Sequence, residues 1–103
     1  MPAKYRLSDE AKDHLREIAR WGTQRHGIKK SREYRDQLKH RFQVLAETPL
    51  LYNRVDHIRQ GYHRSVCGVH SIYYRINSDV VEIMAILRSQ DEGAWLPPKD
   101  EAT

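Results

Sequence analysis

Cysteine is almost absent from this sequence, since Cys67 is the single one among 103 residues. One cysteine excludes an intramolecular disulfide and is typical of a reducing compartment, so we expect a cytoplasmic protein. Long hydrophobic runs are also missing. No apolar stretch approaches the roughly 20 residues that span a bilayer, and the N-terminal residues lack the apolar core of a signal peptide. We therefore expect no association with a membrane.

The sequence also lacks the motifs of most metal and cofactor sites. Its glycines form no phosphate-binding loop. Six histidines occur, but without the spacing of metal ligands. Cys67 precedes Gly68 in a predicted turn and has no evident histidine partner to activate it, so we expect an inert thiol. These absences predict a protein without metal or cofactor.

Charge is distributed unevenly along the chain, whose formal net charge is +4. Residues 20–41 contain eight Lys or Arg against two Asp or Glu, whereas residues 91–103 contain four acids and one lysine. A basic segment of this kind indicates an acidic partner, either nucleic acid or an acidic protein. The alternative is an ordinary solvated helix surface, on which Lys and Arg are common.

The N-terminal half predicts a short strand and two helices. Residues 4–7 alternate as a strand, and Ser8 is placed to cap a helix that ends near Gly27. A second helix is predicted over residues 29–48. It ends there because Pro49 steers the residue before it out of the helical region. The short turn between the helices predicts an antiparallel hairpin.

The C-terminal half predicts three strands over residues 58–66, 69–76 and 80–87. In the last strand, strict alternation places four apolar side chains on one face: Val81, Ile83, Ala85 and Leu87. The element order β-α-α-β-β-β predicts an α+β fold, in which a two-helix antiparallel hairpin packs on one face of a small, mainly antiparallel sheet. We expect the other face to stay at least partly open. Residues 1–92 would form one domain and residues 93–103 a flexible tail.

An ordered set of positions resembles the RelE/ParE superfamily of bacterial type II toxins, most closely its ParE branch. The resemblance covers roughly residues 4–92. The positions that carry it are Leu7, Ala11, Leu15 and Ile18, then Gly27, Tyr34, Leu38, Phe42, Leu45, Ala46 and Pro49, and then Ile58 to Tyr62, His70, Tyr73 to Arg75, Ile83, Ile86 and Leu87. In ParE-like chains a histidine often follows the final Ile-Leu, where this chain has Arg88.

The resemblance implies a toxin that inhibits DNA gyrase by binding and is neutralised by a cognate ParD-like antitoxin. The runner-up function is that of the RelE branch, a ribosome-dependent mRNA endonuclease that needs no metal. A third alternative is an antitoxin-binding module that is not toxic. The resemblance leaves direct binding to nucleic acid open.

Candidate site residues follow from the strand region, from Trp21 and from the apolar cluster at residues 50–52. For contact with the target, or for catalysis if the chain is a nuclease, the candidates are Arg64, Tyr73, Arg75 and Arg88, with Arg59 as a further target contact. Candidates for antitoxin contact are Trp21, Leu50, Leu51 and Tyr52. The alternative for these apolar residues is packing within the fold.

Strand alternation argues against an acid–base set among these residues. Tyr73 and Arg75 are predicted to share a face, while His70 lies on the opposite, core-facing side. His63 and Arg64, as neighbours in a strand, also point to opposite faces. We therefore favour function by binding over catalysis.

Overall fold

The computed structural model describes residues 4–95, which form four strands and three helices. The elements are β1 (Lys4–Leu7), α1 (Asp9–His26), α2 (Ile28–Glu47), β2 (Tyr62–Cys67), β3 (His70–Asn77), β4 (Val80–Arg88) and α3 (Ser89–Trp95). The predicted element order is confirmed, with α3 as an element that the sequence analysis missed. Residues 93–95 of the predicted tail lie in α3, and residues 96–103 lie outside the described residues. No helix among residues 4–95 has both the length and the apolar character needed to cross a bilayer.

The strands form one sheet in the order β1-β4-β3-β2. β1 pairs with β4 in parallel, while the β4–β3 and β3–β2 pairs are antiparallel. The sheet is therefore mainly antiparallel, as predicted. Helices α1 and α2 pack together on one face of the sheet. Gly27 alone joins them, and its positive φ of 87° is one that L side chains rarely adopt.

Ser8 fixes the point where β1 ends and α1 begins. Its Oγ accepts a hydrogen bond from the backbone N–H of Ala11 at 3.0 Å, so the predicted helix cap is confirmed. The same Oγ donates to the carbonyl of Met84 at 3.0 Å, and the Ser8 N–H donates to the carbonyl of Ile83 at 2.9 Å. One residue thus ties the start of α1 to the middle of β4.

A bulge at Met84 changes which side chains of β4 face the helices. Tyr73 is opposite Ala85 whereas Tyr74 is opposite Ile83, so Met84 has no partner on β3. The extra residue reverses the alternation beyond this point. The helix-facing core contains Leu38, Phe42 and Leu45 of α2 with Ile72, Tyr74, Val81, Ile83 and Ile86 of the sheet. The prediction that Ala85 and Leu87 share a face with Val81 and Ile83 was therefore wrong.

The second face of the sheet, which we expected to stay at least partly open, has a small core of its own and leaves Arg64 and Arg75 exposed. The connector between α2 and β2 folds across it and buries Val55 and Ile58 against Tyr73, Ala85 and Leu87. Turns at residues 55–62 build this cover, so β2 begins at Tyr62 rather than at Ile58 as predicted. We call this side the connector face.

Replacing Ser8 tests the junction of β1, α1 and β4. We expect Ser8→Ala to lower the free energy of unfolding by about 1–2 kcal/mol, since a helix cap and the partner of the Met84 carbonyl are lost together. Urea unfolding at neutral pH would measure this. Ser8→Thr retains the hydroxyl and serves as the matched control. Equal stability of Ser8→Ala and the unchanged protein would contradict the assigned role.

Candidate functional site

The predicted target-binding residues do not form one surface. Arg64, Tyr73 and Arg75 belong to the connector face, because Arg64 is opposite Tyr73 and Arg75 is opposite Glu82 in the registers of the sheet. Arg88 is opposite His70 and therefore lies on the helix side. Arg59 is exposed within the connector. The strand arginines are thus divided between two faces.

Tyr73 is a core residue, since its side chain is 0% exposed. Burial raises the pKa of its hydroxyl, with a smaller opposing effect from a hydrogen bond to Arg64 and a further increase from Glu92. A buried phenol with a raised pKa is a poor proton donor at neutral pH. The structure therefore places Tyr73 beneath the surface and leaves Arg64 as the exposed group above it.

Arg75 is engaged within the molecule. Its Nε donates to Glu82 Oε1 at 2.7 Å, and Arg6 Nε donates to Glu82 Oε2 at 2.8 Å. Hydrogen bonds from Arg75 first, and then from Arg6, hold the pKa of the Glu82 carboxyl below its usual range. One carboxylate thus compensates part of the charge of two arginines, which weakens this pair as a binding surface for an anion.

The two strand histidines lie away from Arg64 and Arg75. His63 stacks on the Tyr74 ring with centroids 5.1 Å apart, and its Nδ1 lies 2.9 Å from the Tyr52 carbonyl oxygen. His70 is buried on the helix side. The burial of His70 and the opposite orientations of His63 and Arg64 confirm the predicted faces, although His70 lies beside Arg88. The nuclease candidates Arg64, Tyr73, Arg75 and Arg88 therefore form no acid–base set, and no group of three or more metal-ligating side chains occurs within residues 4–95.

A groove of about 420 Å³ lies between α1 and the end of β4. Three acids, three basic or imidazole side chains and four apolar side chains line it: Glu10, Glu17, Asp91, His14, His70, Arg88, Ile18, Trp21, Ile86 and Leu87. The α1 members follow the three- and four-residue spacing of one helical face. This spacing is visible in the sequence, so the groove face of α1 could have been recognised there, although only Trp21 was singled out.

The floor of the groove is an unpaired edge of β4. β1 pairs with β4 only as far as Ile83, so among residues 4–95 no strand pairs with β4 on that side from Met84 to Arg88. His14 Nδ1 accepts the backbone N–H of Ile86 at 3.2 Å and thereby covers one polar group of the edge. Because strand groups alternate in direction, the Ile86 carbonyl points to the same edge. The groove thus combines apolar walls with strand groups that can accept a further hydrogen bond.

Trp21 forms the wall of the groove nearest to Arg88. The guanidinium carbons of Arg88 and Arg25 lie 4.8 Å and 5.3 Å from the centre of its ring, distances typical of cation–π contacts. The side chain is nevertheless 38% exposed. Part of the Trp21 ring therefore remains exposed in the groove, and Arg88 packs against it rather than joining Arg64 on the connector face.

Leu50, Leu51 and Tyr52 lie at the other edge of the sheet. Leu51 and Tyr52 line a shallow cavity beside β2, together with Arg64 and Val66. Leu50 is 78% and Leu51 64% exposed, while Tyr52 packs against the helix-facing core. Because β2 and β4 are separated by β3, this apolar cluster and Trp21 belong to two separate surfaces.

His70 closes the inner end of the groove in a network with Tyr34. The Tyr34 hydroxyl oxygen lies 2.7 Å from His70 Nδ1 and 3.1 Å from the Cys67 carbonyl oxygen. Gly68 permits this approach, since a Cβ there would lie 2.6 Å from the Tyr34 hydroxyl. Burial, together with a smaller effect from the nearby charge of Arg88, lowers the pKa of His70 to about 4. The imidazole is therefore neutral at physiological pH.

The sequence as a whole matches one family along most of its length. The family model described as "ParE toxin of type II toxin-antitoxin system, parDE" matches residues 5–93. The chain belongs to this family. Toxin ParE1 of Caulobacter vibrioides is 32% identical over 92 residues, which are 89% of this chain and 96% of that protein. Toxin ParE1 of Mycobacterium tuberculosis is 29% identical over 91 residues, 87% of this chain and 93% of that protein.

A solved structure described as "Chromosomal ParDE TA system from P. aeruginosa" has the same fold as this toxin. The TM-score is 0.73 at 14% identity, over 82% of this chain and 94% of that one. The predicted α+β fold and the predicted ParE branch are thus confirmed. The toxin is a ParE-like type II toxin.

The titration of His70 predicts a pH dependence of the toxin's stability. Its pKa is about 4 in the folded chain, against an ordinary value of 6.5. The unfolded chain therefore binds more protons between these values, and stability falls as the pH drops through that window. We expect a loss of about 2 kcal/mol between pH 7 and pH 5 from this group. Urea unfolding at both pH values would measure it.

His70→Gln and His57→Gln provide the matched comparison, since the first residue is buried and the second exposed. The His70 variant should lose most of this pH dependence, whereas the His57 variant should retain it. An unchanged pH dependence in His70→Gln would show that other groups cause the effect.

Proposed function

We propose that this toxin inhibits DNA gyrase by binding, and that a ParD-like antitoxin neutralises it by occupying the groove between α1 and β4. Membership in the ParE family supports the class of activity. The solved relative described as a ParDE toxin–antitoxin system supports an antitoxin as partner. The observation that carries the antitoxin site is the groove itself, with its apolar walls and the unpaired edge of β4.

The groove suits an extended or amphipathic segment of a partner chain. Trp21, Ile18 and Leu87 offer apolar contact, and aromatic side chains are frequent anchors of such interfaces. The Ile86 carbonyl can accept a backbone N–H of the partner, as in the addition of a strand to a sheet edge. Glu10, Glu17 and Asp91 at the rim favour a partner with basic residues near its apolar ones.

Binding rather than catalysis fits the connector face. Two of its exposed cations, Arg59 and Arg64, have neither of the strand histidines beside them. General acid–base cleavage of RNA needs a proton acceptor and a proton donor within hydrogen-bond reach of the reacting atoms. We propose Arg59 and Arg64 as contacts to gyrase. Arg75 contributes less because Glu82 holds it, and Tyr73 supports Arg64 from below.

Truncating Trp21 tests the antitoxin site. We expect Trp21→Ala to weaken binding of the cognate antitoxin at least about tenfold, because a central aromatic contact is lost. Isothermal titration calorimetry with the purified antitoxin would measure the affinity. Leu51→Ala is the matched control, since Leu51 is an exposed apolar residue at the opposite edge of the sheet.

Leu51→Ala also distinguishes an antitoxin site in the groove from one at the β2 edge. We expect this variant to bind the antitoxin within about twofold of the unchanged toxin. A loss of affinity in Leu51→Ala with none in Trp21→Ala would move the antitoxin site to the β2 edge.

Neutralising Arg64 tests the contact with gyrase. In a supercoiling assay with purified gyrase, we expect Arg64→Gln to raise the inhibitory concentration about tenfold, since a charged contact is removed. Arg64→Lys retains the charge and should lose less. Antitoxin affinity should be unchanged in both variants, which confirms that they fold. Cleavage of mRNA in a translation extract, with gyrase unaffected by the unchanged toxin, would contradict the proposed target.

A further inference from the structure

The outer seam of the helical hairpin carries a cluster of cations. α2 contacts α1 at Ser31, whose Oγ donates to the Ala19 carbonyl at 3.2 Å and lies 2.9 Å from where a Cβ on Gly22 would be. Arg35 and Lys39 follow Ser31 on the same flank of α2 at intervals of four residues, and Arg32 lies beside them. On α1, Lys12 and Arg16 precede Ala19 by seven and three residues and share its flank. We call these five residues the hairpin seam: Lys12, Arg16, Arg32, Arg35 and Lys39.

The charges of the hairpin seam are largely uncompensated. Among the described residues, the one ion pair formed by a seam residue joins Arg16 to Asp13 at 2.6 Å, and both side chains are well exposed. Asp36 lies four residues after Arg32 without pairing to it. Arginines of the sheet side differ, since Arg6 and Arg75 share Glu82 and Arg54 pairs with Asp56.

Like charges also follow one another at unfavourable spacing. Lys12, Arg16 and Arg20 repeat every four residues on α1, as do Arg35 and Lys39 on α2. Like charges four residues apart destabilise a helix. Among the described residues, Asp13 offsets part of this cost at Arg16 and no other ion pair does so at the seam. The arrangement therefore points to a partner that supplies negative charge.

The shape of the hairpin seam fits a broad, repeating anion. Arg32 to Lys39 extends about 10 Å along α2, and packed helices lie about 8–10 Å apart. Neither the groove nor the cavity at the β2 edge includes a seam residue. The seam also contains no aromatic ring on which an unpaired base could stack. Duplex DNA, with one charge per roughly 1.7 Å of its axis, offers such a repeat without requiring a pocket.

We propose that the hairpin seam binds the phosphate backbone of double-stranded DNA without sequence preference. The choice of DNA over other duplexes rests on the proposed function, because gyrase acts on duplex DNA. Contact with the bases is not needed, since cations of this kind bind phosphate through charge alone. The seam would then hold the toxin against the DNA on which its target works.

Fluorescence anisotropy with a labelled 20-base-pair duplex tests the proposal on the toxin alone. The variant Arg32→Gln, Arg35→Gln, Lys39→Gln removes three seam charges. Lys4→Gln, Lys30→Gln, Arg54→Gln removes the same net charge elsewhere. We expect the seam variant to bind at least about tenfold more weakly and the control to bind within about twofold of the unchanged toxin. The slope of log affinity against log salt should fall by about 2–3 in the seam variant alone.

Three results would overturn the proposal. They are an absence of duplex binding by the unchanged toxin, an equal loss in both variants, and tighter binding to an RNA duplex or to single-stranded DNA than to duplex DNA. Circular dichroism and antitoxin affinity confirm that both variants fold. Gyrase is absent from this assay, so the two proposals can fail separately. Duplex binding through the seam without inhibition of gyrase would refute only the proposed target. Inhibition of gyrase without duplex binding through the seam would refute only the DNA-binding role of the seam.

Discussion

The bulge at Met84, held in place by Ser8, is the constraint on which the rest of the structure depends. It turns Ala85 and Leu87 toward the connector, where they bury Val55 and Ile58, while Ile83 and Ile86 stay with the helices. Ser8 also ends β1 opposite Ile83 and starts α1 there. Within residues 4–95, the end of β4 therefore has no paired strand on the β1 side, and the groove forms along it. A second core and a partner site both follow from one extra residue in a strand.

Local sequence signals predicted the elements well and the faces of β4 poorly. The helices showed regular apolar spacing, a capping serine and a terminal proline, all of which act within a few residues of the chain. The bulge had no such signal, because every residue from Ile83 to Leu87 is apolar and either register reads as a buried strand. The cover formed by Val55 and Ile58 was missed for a related reason. Its apolar residues have no period, and their burial depends on a sheet face far away in the sequence.

The site residues show a similar limit, because the sequence lists charges without their partners. Arg75 was a candidate for target binding, but it pairs with Glu82. Arg88 was predicted to belong with the other strand arginines, but the register places it on the helix side, beside Trp21. Tyr73 was correctly assigned to the face of Arg75, but only the connector explains its burial. The charge excess of residues 20–41 was visible from the start. Most of those cations lie on the helices, away from the strands that first drew attention.

Helix α1 separates the groove from the hairpin seam, because each lies on a different face of the helix. Glu10, His14 and Trp21 face the groove, whereas Lys12 and Arg16 lie on the flank toward α2. Groove and hairpin seam thus share a rigid element but no residue, so an antitoxin segment confined to the groove leaves the seam exposed. Antitoxin binding in the groove would then leave the affinity of the toxin for DNA unchanged. The groove's acidic rim also disfavours phosphate, which directs DNA toward the seam and leaves the groove to a protein partner.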